Sequence, residues 1–269
     1  MIVKQPSAQW VKEYRNKKWR IVEDLNFRSE SDAEKFINEV DMCLLFGGKE
    51  IELPKWYTAA NSDADWWTLK FTLEAKKKLY LSRVIKKKAT LLSLDILPYF
   101  LVLYYASGGC EIYEEEHFYG HLSVEAYRIA QYLDKHGATP TDTLRKQLVP
   151  KGKQHTARFH KGILELQLKF KIAVAGFIDR GWGVRKLDLF TRWAPKSVLQ
   201  KAEHLDKPTA MKEIMKRYIA LAGATTESKV ARLFGWEQNE VAQIVQHCLS
   251  EGIIAQVKSG NQLMLISSA

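Results

Sequence analysis

The clearest periodic pattern of apolar residues lies in residues 123–177. The first apolar positions are spaced at i, i+3, i+4 and i+7, the spacing of one buried helix face. They are Ala126, Ile129, Ala130 and Leu133. In the Gly-Ala-Thr-Pro turn that follows, Thr139 is expected to cap a second helix that has Pro140 at its first position. A basic segment, residues 151–158, then leads into a third helix.

Two strands are predicted after these three helices, in residues 172–177 and 184–189. The residues between them include two glycines and are typical of a turn. Helix, turn, helix, basic helix and hairpin is the order of a winged helix-turn-helix. This segment is therefore predicted to be one winged helix.

Residues 211–266 repeat the plan. Apolar positions with helical spacing occur twice, at Met211, Ile214, Met215 and Tyr218 and again at Val241, Ile244, Val245 and Cys248. The Gly-Ala-Thr that starts at Gly137 recurs at Gly223, and strands are predicted at 253–257 and 262–266. We interpret the two segments as a divergent duplication of one winged helix.

The first 115 residues predict a mixed α/β region. A capping box with Ser31 as the cap and Glu34 at the third helical position opens one helix. Another helix is expected to begin at Asp63 or Asp65, and a strand is expected at 89–94.

The chain is predicted to contain three domains. Residues 1–115 form the α/β region, which is open to interpretation as a third, diverged winged helix. Residues 120–195 form a winged helix and residues 196–269 form a C-terminal one. The predicted fold class is α+β, mostly helical, with tandem winged helix-turn-helix repeats.

The charge of the chain favours a polyanionic partner. The formal net charge is +10 and the pI is about 9.3. Such an excess attracts phosphates and releases their counterions on binding. A basic surface with no such partner is the alternative explanation of the same numbers.

The cysteines and the apolar runs bear on the compartment. Cys43, Cys110 and Cys248 form no CxxC pair, which argues for a reducing compartment and against a structural zinc site. Residues 1–19 contain no apolar signal-peptide core, and the apolar run 91–106 is too short to span a bilayer. A cytoplasmic protein without a membrane partner is expected.

Short motifs in both halves of the chain resemble those of the tandem winged-helix family that includes the AlkZ-like (YcaQ-like) DNA glycosylases, and of a bacterial branch of its relatives. In the C-terminal half they are Tyr218-Ile-Ala-Leu-Ala-Gly-Ala-Thr-Thr, Phe234-Gly-Trp and Leu249-Ser-Glu-Gly. In the N-terminal half they are Phe46-Gly-Gly-Lys-Glu-Ile-Glu-Leu-Pro, Asp65-Trp-Trp-Thr-Leu-Lys and Leu97-Pro-Tyr-Phe. The resemblance implies winged-helix units around double-stranded DNA, a link to DNA repair, and no metal or organic cofactor.

One motif of that family is missing from the sequence. Its glycosylases carry Gln-x-Gln or Gln-x-Arg in the N-terminal region. The first hundred residues here contain only Gln5 and Gln9, which are not two positions apart. No catalytic residue is therefore assigned from the resemblance.

Candidate DNA-binding residues cluster in three places. A winged helix places its third helix in the major groove, with cations on phosphates and amides on base edges. Those predicted in or before that helix are Lys151, Lys153, Gln154, His155, Arg158 and Lys161. Those predicted to flank the wing are Arg180, Arg185 and Lys186. The densest basic run is Arg83, Lys86, Lys87 and Lys88. A solvated surface is the alternative for each group.

Two further groups have a functional and a structural interpretation. Glu114, His117 and His121 share a helical spacing that suits a metal site, although sequence supplies no further ligand. Asp65-Trp66-Trp67 with Lys70 can form a pocket for an unstacked base, or these residues can be core.

We expect a double-stranded DNA-binding protein, with recognition of damaged DNA as a finer hypothesis. The first alternative is a DNA glycosylase that excises a damaged base with a displaced catalytic group. The second is a protein-interaction scaffold, for which a concave surface would be acidic or apolar rather than basic.

Overall fold

The structure is a computed structural model that describes residues 6–48, 50–150, 152–178, 183–260 and 262–268. Helices and short antiparallel sheets make up these residues, so the predicted α+β, mostly helical fold class is confirmed. Among the described residues, no helix has both the length and the hydropathy needed to cross a membrane.

The first unit follows an opening helix, α1 (Ala8–Lys18), and a 3-10 turn (Glu23–Leu25). Its elements are α2 (Glu30–Val40), β1 (Met42–Leu44), α3 (Trp56–Ala59), α4 (Trp66–Ala75), β2 (Leu79–Ser82), β3 (Thr90–Ser93) and α5 (Leu97–Ala106). The strands form an antiparallel sheet in the order β1-β3-β2, and every residue in them is buried. The sheet is therefore covered on both faces.

The second unit follows a short helix, α6 (Tyr113–Phe118). Its elements are α7 (Val124–His136), β4 (Thr139–Pro140), α8 (Thr141–Leu148), α9 (Lys153–Leu168), β5 (Ile172–Ile178) and β6 (Val184–Leu189). The sheet order is β4-β6-β5, again antiparallel, with a register shift between Val174 and Gly176.

The third unit follows two connecting helices, α10 (Phe190–Trp193) and α11 (Lys196–Glu203). Its elements are α12 (Lys207–Ala222), α13 (Glu227–Phe234), α14 (Gln238–Ser250), β7 (Ile254–Ser259) and β8 (Gln262–Ser267). Thr225, just after α12, makes an isolated antiparallel bridge to Leu265 of β8, with backbone bonds of 3.0 and 2.7 Å. This bridge takes the place of a first strand.

The same order of elements occurs three times along the chain. Each unit runs helix, strand or bridge, helix, helix, strand, strand, and in each the last strand lies between the other two partners. The second and third units thus have the element order expected of a winged helix, and the first unit repeats it. The division at 1–115, 120–195 and 196–269 remains a prediction.

The N-cap residues show which helix starts can be predicted from neighbouring residues in the sequence. Asp65 caps α4 as predicted, accepting the Thr68 amide at 3.1 Å. The prediction of Ser31 as the cap of α2 is wrong, because Ser29 accepts the Asp32 amide at 3.1 Å. Both serines have an acidic residue three positions later, so the sequence contains two overlapping capping signals.

The cap predicted at Thr139 is also wrong. Residues 139 and 140 form β4, which pairs with Leu187 and Lys186 of β6, and α8 begins at Thr141. The Thr139 hydroxyl donates to the Gly137 carbonyl at 2.8 Å, so the turn uses it instead of the helix. Pairing with a strand almost fifty residues away outweighs the local cap signal.

The helices α7 and α9 pack closely at Gly162. A Cβ built at this position would lie 3.1 Å from the Ala126 amide nitrogen and 3.2 Å from the Glu125 carbonyl carbon. The buried positions of α9 lie on this face of the helix, and they are Phe159, Gly162, Ile163, Leu166 and Gln167. The opposite face of α9 is therefore left to solvent.

Helix α4 and the sheet of the first unit pack against the second unit. The Tyr80 hydroxyl of β2 donates to the Ile172 carbonyl of β5 at 3.0 Å, and both groups are buried. The Trp193 indole donates to the Glu74 carbonyl of α4 at 2.8 Å. The two units therefore share one continuous apolar core.

Helix α1 joins the first unit to the third by capping α12. The last carbonyls of a helix lack partners within the helix, and side chains of α1 and of its C-cap residue, Trp19, supply donors to them. The bonds are Tyr14 to Ala220 (2.6 Å), Trp19 to Leu221 (2.9 Å) and Arg15 to Ala222 (2.8 Å). The chain leaves α12 at Gly223 with φ +75°, where a Cβ would come within 2.7 Å of the Tyr14 ring.

We predict that Trp19→Phe destabilises the protein by about 2 kcal/mol, because it leaves the buried Leu221 carbonyl without a donor. Trp10→Phe is the matched control, since Trp10 is 43% exposed on the same helix, and surface changes usually cost under about 0.5 kcal/mol. Urea unfolding of both variants measures the difference. Equal stability of the two variants would contradict this account of α1.

Candidate nucleic-acid interface

The first half of α9 carries an exposed cationic face. Lys153, Gln154, His155, Arg158 and Lys161 are all exposed. Gln154, Arg158 and Lys161 lie at i, i+4 and i+7, so they project from one side of the helix. His160 is exposed as well, and the buried side of α9 packs on α7.

These cations oppose the dipole of their own helix. The N-terminus of a helix favours negative charge by about 0.3–1 kcal/mol per group, yet the first turn of α9 has no acidic residue and no side-chain cap. The nearest ion pair is loose, with Arg158 Nη1 3.9 Å from Glu125 Oε1 and both side chains exposed. Helix stability therefore does not account for the charge at this end.

The lysine run lies in the turn between β2 and β3. Lys86, Lys87 and Lys88 are exposed, and the first two have positive φ angles of 51° and 57°. Arg83 is half-buried, and its Nε lies 3.4 Å from Gln167 Oε1 on α9. The structure thus joins the lysine turn of the first unit to α9 of the second.

The other predicted site residues are placed differently. Arg185 does not project to solvent as a wing residue would; it is half-buried, and its guanidinium lies 5.5 Å from the Phe71 ring centroid. Lys186 is half-buried on β6, with its stem across Gly176. Lys151 and Arg180 lie outside the described residues.

A cleft of about 370 Å³ lies between α4 and β2 of the first unit and α9 and β6 of the second. Its lining consists of Leu45, Trp67, Lys70, Phe71, Leu81, Ser82, Arg83, Ala89, Gln167, Gly183 and Arg185. The described lining contains three basic side chains, Lys70, Arg83 and Arg185, and no carboxylate.

Lys70 is the most unusual residue of this cleft. Its side chain is 1% exposed, and its Nζ lies 3.4 Å from the ring centroid of Trp67 and 4.0 Å from that of Phe71. The amine donates to the Trp67 carbonyl, and no carboxylate among the described residues forms an ion pair with it. Burial, together with the Arg185 charge, lowers the pKa of Lys70 to about 7, against a smaller opposing effect of Asp65.

Glu74 lies one helical turn after Lys70 and is fully buried. Neither of its carboxyl oxygens has a hydrogen-bond partner, although the backbone amides of Val174 and Leu81 point toward it. Burial raises the pKa of Glu74 to about 8, and the Arg185 charge only moderates that rise. The carboxyl is therefore largely protonated at neutral pH.

Ser82 supplies a free hydroxyl to the cleft. The residue is fully buried, and its Oγ has no hydrogen-bond partner among the described groups. Buried polar side chains normally make hydrogen bonds, and a buried hydroxyl without one often marks a place where a ligand or water binds. The hydroxyl therefore lies in the wall of the cleft with its hydrogen-bonding capacity unused.

An exposed aromatic cluster lies at the edge of the cleft. Phe46, Tyr57 and Trp67 are 48%, 53% and 38% exposed. Phe46 lies 6.3 Å from Tyr57, 5.8 Å from Trp66 and 6.4 Å from Trp67, measured between ring centroids. Within the predicted group, Trp66 is half-buried against this cluster and Lys70 is buried, but core packing does not explain the exposed Trp67 ring.

The suggested metal site does not form. His117 stacks on Tyr127 at 4.1 Å, and its Nδ1 contacts the Leu122 carbonyl at 3.0 Å, while Glu114 and His121 are exposed. Across the described part of the chain, no group of three or more His, Cys, Asp or Glu side chains is placed to hold a metal ion.

The AlkZ-related family model matches residues 27–235, which is most of the chain. The chain belongs to the AlkZ-related family. The solved structure of the Streptomyces sahachiroi DNA glycosylase AlkZ is similar to it, with a TM-score of 0.58 and 12% sequence identity over 96% of this chain and 69% of that one. At that identity the likeness concerns the fold. No curated protein matches the chain.

Sequence reasoning missed several residues of the cleft in this AlkZ-related chain. Ser82, Gln167 and Gly183 reach it only through the packing of two units, and no motif marks them. The adjacent tryptophans and Lys70 did suggest a pocket, and the structure brings Trp67 and Lys70, but not Trp66, to the lining of the cleft. Glu74 had a weak signal, since it follows Lys70 at i+4 on a helix face that is otherwise apolar.

We predict a pH-dependent stability from Glu74. Its pKa is raised from 4.5 to about 8, so the folded chain keeps a proton that the unfolded chain loses between these values. The stabilising effect is complete below pH 4.5 and is lost as the pH rises through 8, by up to about 1.4 kcal/mol per pH unit.

The comparison that measures this effect is Glu74→Gln against Glu203→Gln, a control that removes an exposed carboxylate. Chemical unfolding from pH 5 to 8 should show a smaller loss of free energy for Glu74→Gln than for the wild type and the control. Parallel curves for all three proteins would show that Glu74 is not buried as described.

Proposed function

We propose that this protein binds double-stranded DNA with the exposed face of α9 against the phosphates. The observation that carries the proposal is the cluster of cations at the N-terminal half of α9, which has no acidic residue in its first turn. An external anion removes the repulsion that these cations feel from each other and from the helix dipole. The net charge of +10 adds long-range attraction.

The basic turn between β2 and β3 offers a second set of cations to the same ligand. Arg83 links Lys86, Lys87 and Lys88 to α9 through Gln167. A major groove is about 12 Å wide and admits one α-helix. When α9 lies in or along the groove, we expect the lysine turn to make a second contact with the phosphates.

We further propose that the aromatic cluster and the cleft recognise damage in the form of an unstacked base. Exposed aromatic faces hold single bases with about 1–3 kcal/mol each. Phe46, Tyr57 and Trp67 offer such faces beside a cleft lined by cations. The family and the fold of a protein described as a DNA glycosylase support this direction.

The two alternative functions predict different residues in the lining of the cleft. A protein-interaction scaffold would favour an acidic or apolar concave surface, whereas the described lining mixes apolar residues with the basic Lys70, Arg83 and Arg185 and holds no acid. A DNA glycosylase remains the second candidate. It is favoured by one observation, a cleft that contains a buried amine and an unbonded hydroxyl.

We predict salt-dependent binding to random duplex DNA that requires α9. Lys153→Gln with Arg158→Gln should lower the slope of log affinity against log salt by about 2, because each lost phosphate contact removes about 0.9. The charge-matched control is Lys35→Gln with Lys196→Gln, two exposed lysines on α2 and α11. Fluorescence anisotropy over a salt series measures both slopes.

Failure of the wild type to bind duplex DNA at low salt would contradict the proposal. Equal slopes for the two double variants would remove α9 from the interface while leaving DNA binding in place.

We predict tighter binding to a duplex with one unpaired base than to a perfect duplex. Trp67→Ala should reduce that preference by about 5- to 150-fold, the equivalent of one base stack of about 1–3 kcal/mol. Trp10→Ala removes a similarly exposed tryptophan on α1 and serves as the control. No preference in the wild type, or the same preference in both variants, would contradict a stacking role for Trp67.

A further inference from the structure

A buried lysine amine that lines a cleft without an acidic partner calls for an explanation. Lys70 is 1% exposed, and among the described residues no carboxylate approaches its Nζ within ion-pair distance. Its methylene stem accounts for packing, but an apolar residue would pack there without a polar end. The position therefore favours a use of the amine itself.

The charged groups around Lys70 favour its neutral form. Arg185 of β6 faces it from the second unit and repels a proton, whereas Asp65 at the start of α4 attracts one. Arg83, which directly follows β2, lines the same cleft. Burial of the amine, the largest effect, acts in the same direction as Arg185, which agrees with a pKa of about 7.

A neutral lysine amine is a nucleophile toward carbonyl carbon. Other groups of the cleft can bind the carbonyl oxygen and the phosphates of such a substrate. The Ser82 hydroxyl is buried, unbonded and in the lining, so it can bond a carbonyl oxygen. The guanidinium groups of Arg83 and Arg185 can hold phosphates on either side of the reacting carbon.

We propose that Lys70 condenses with an aldehyde in this cleft, and that the aldehyde is the ring-opened deoxyribose of an abasic site in DNA. The DNA part of this inference rests on the proposed function. An aldehyde is the one strongly electrophilic carbon that a DNA strand presents after base loss, and it is flanked by phosphates that match the arginines.

Condensation of the amine with the aldehyde releases one water, and a reductant then traps the product. The Lys70 nitrogen adds its lone pair to the C1′ carbonyl carbon, and one amine proton moves to the oxygen to give a carbinolamine. Loss of that hydroxyl with the second amine proton forms an imine and one water. Added borohydride then delivers a hydride to the imine carbon, and water protonates the nitrogen, which fixes the adduct as a secondary amine.

The first test uses 2-deoxyribose 5-phosphate, a small aldehyde source that needs no duplex binding. The full-length protein is incubated with it and with sodium cyanoborohydride at pH 7, and adducts are mapped by peptide mass spectrometry. We expect Lys70 to be modified at least tenfold faster than the exposed Lys35 and Lys196. Adducts spread over exposed lysines, with Lys70 unmodified, would overturn the inference.

Two variants keep the test specific. Lys70→Arg should abolish the adduct at this position and leave the exposed lysines unchanged. Arg185→Gln keeps the amine but removes the repelling charge, so the pH dependence of trapping at Lys70 should move to higher pH. An unchanged pH dependence in Arg185→Gln would contradict the electrostatic part of the account, and this readout does not depend on the stability of the Lys70 variant.

The second test uses a duplex with one abasic site under the same reducing conditions. We expect a covalent protein–DNA product that Lys70→Arg loses and Lys35→Arg keeps. Trapping of the sugar phosphate at Lys70 without any duplex binding would contradict the proposed DNA binding, not the assignment of the amine. Duplex binding without trapping of either probe would overturn this inference and leave the proposed function in place.

Discussion

The packing of α4 against the second unit is the contact on which the rest of the structure depends. This helix lies between the first unit's sheet and β5, and its buried positions include Lys70 and Glu74 as well as Phe71 and Leu73. Burying two ionisable groups costs several kcal/mol unless their charges are suppressed. The protein suppresses both, with an amine and a carboxyl whose pKa values move in opposite directions toward neutrality.

That contact also places the groups that a ligand would meet. The cleft exists because α4 and β2 come from one unit and α9 and β6 from another, and Arg83 reaches Gln167 across the boundary. The lysine turn, which follows Arg83, is therefore close to the cleft, while the exposed cations of α9 lie on the opposite face of that helix from Gln167.

Local signals predicted elements well and interfaces poorly. The apolar stripe from Ala126 to Leu133 and the cap at Asp65 depend on neighbours in sequence, and both have the predicted role. The start of α8 depended on a strand near Leu187 and was misplaced. Arg185 was expected on an exposed wing, but α4, more than a hundred residues earlier, covers it. Nothing in the sequence marked Ser82, because only the packing of the two units shows that this serine is buried in the wall of the cleft.

The central proposal is that the exposed face of α9 and the lysine turn both contact DNA, and lysine footprinting tests it most directly. The protein is acetylated with a small reagent, alone and with a duplex that carries one unpaired base, and each lysine is quantified by mass spectrometry. The account predicts joint protection of Lys153, Lys161 and Lys86, with Lys35 and Lys196 unchanged. Protection confined to lysines of the third unit, or none at saturating DNA, would contradict it.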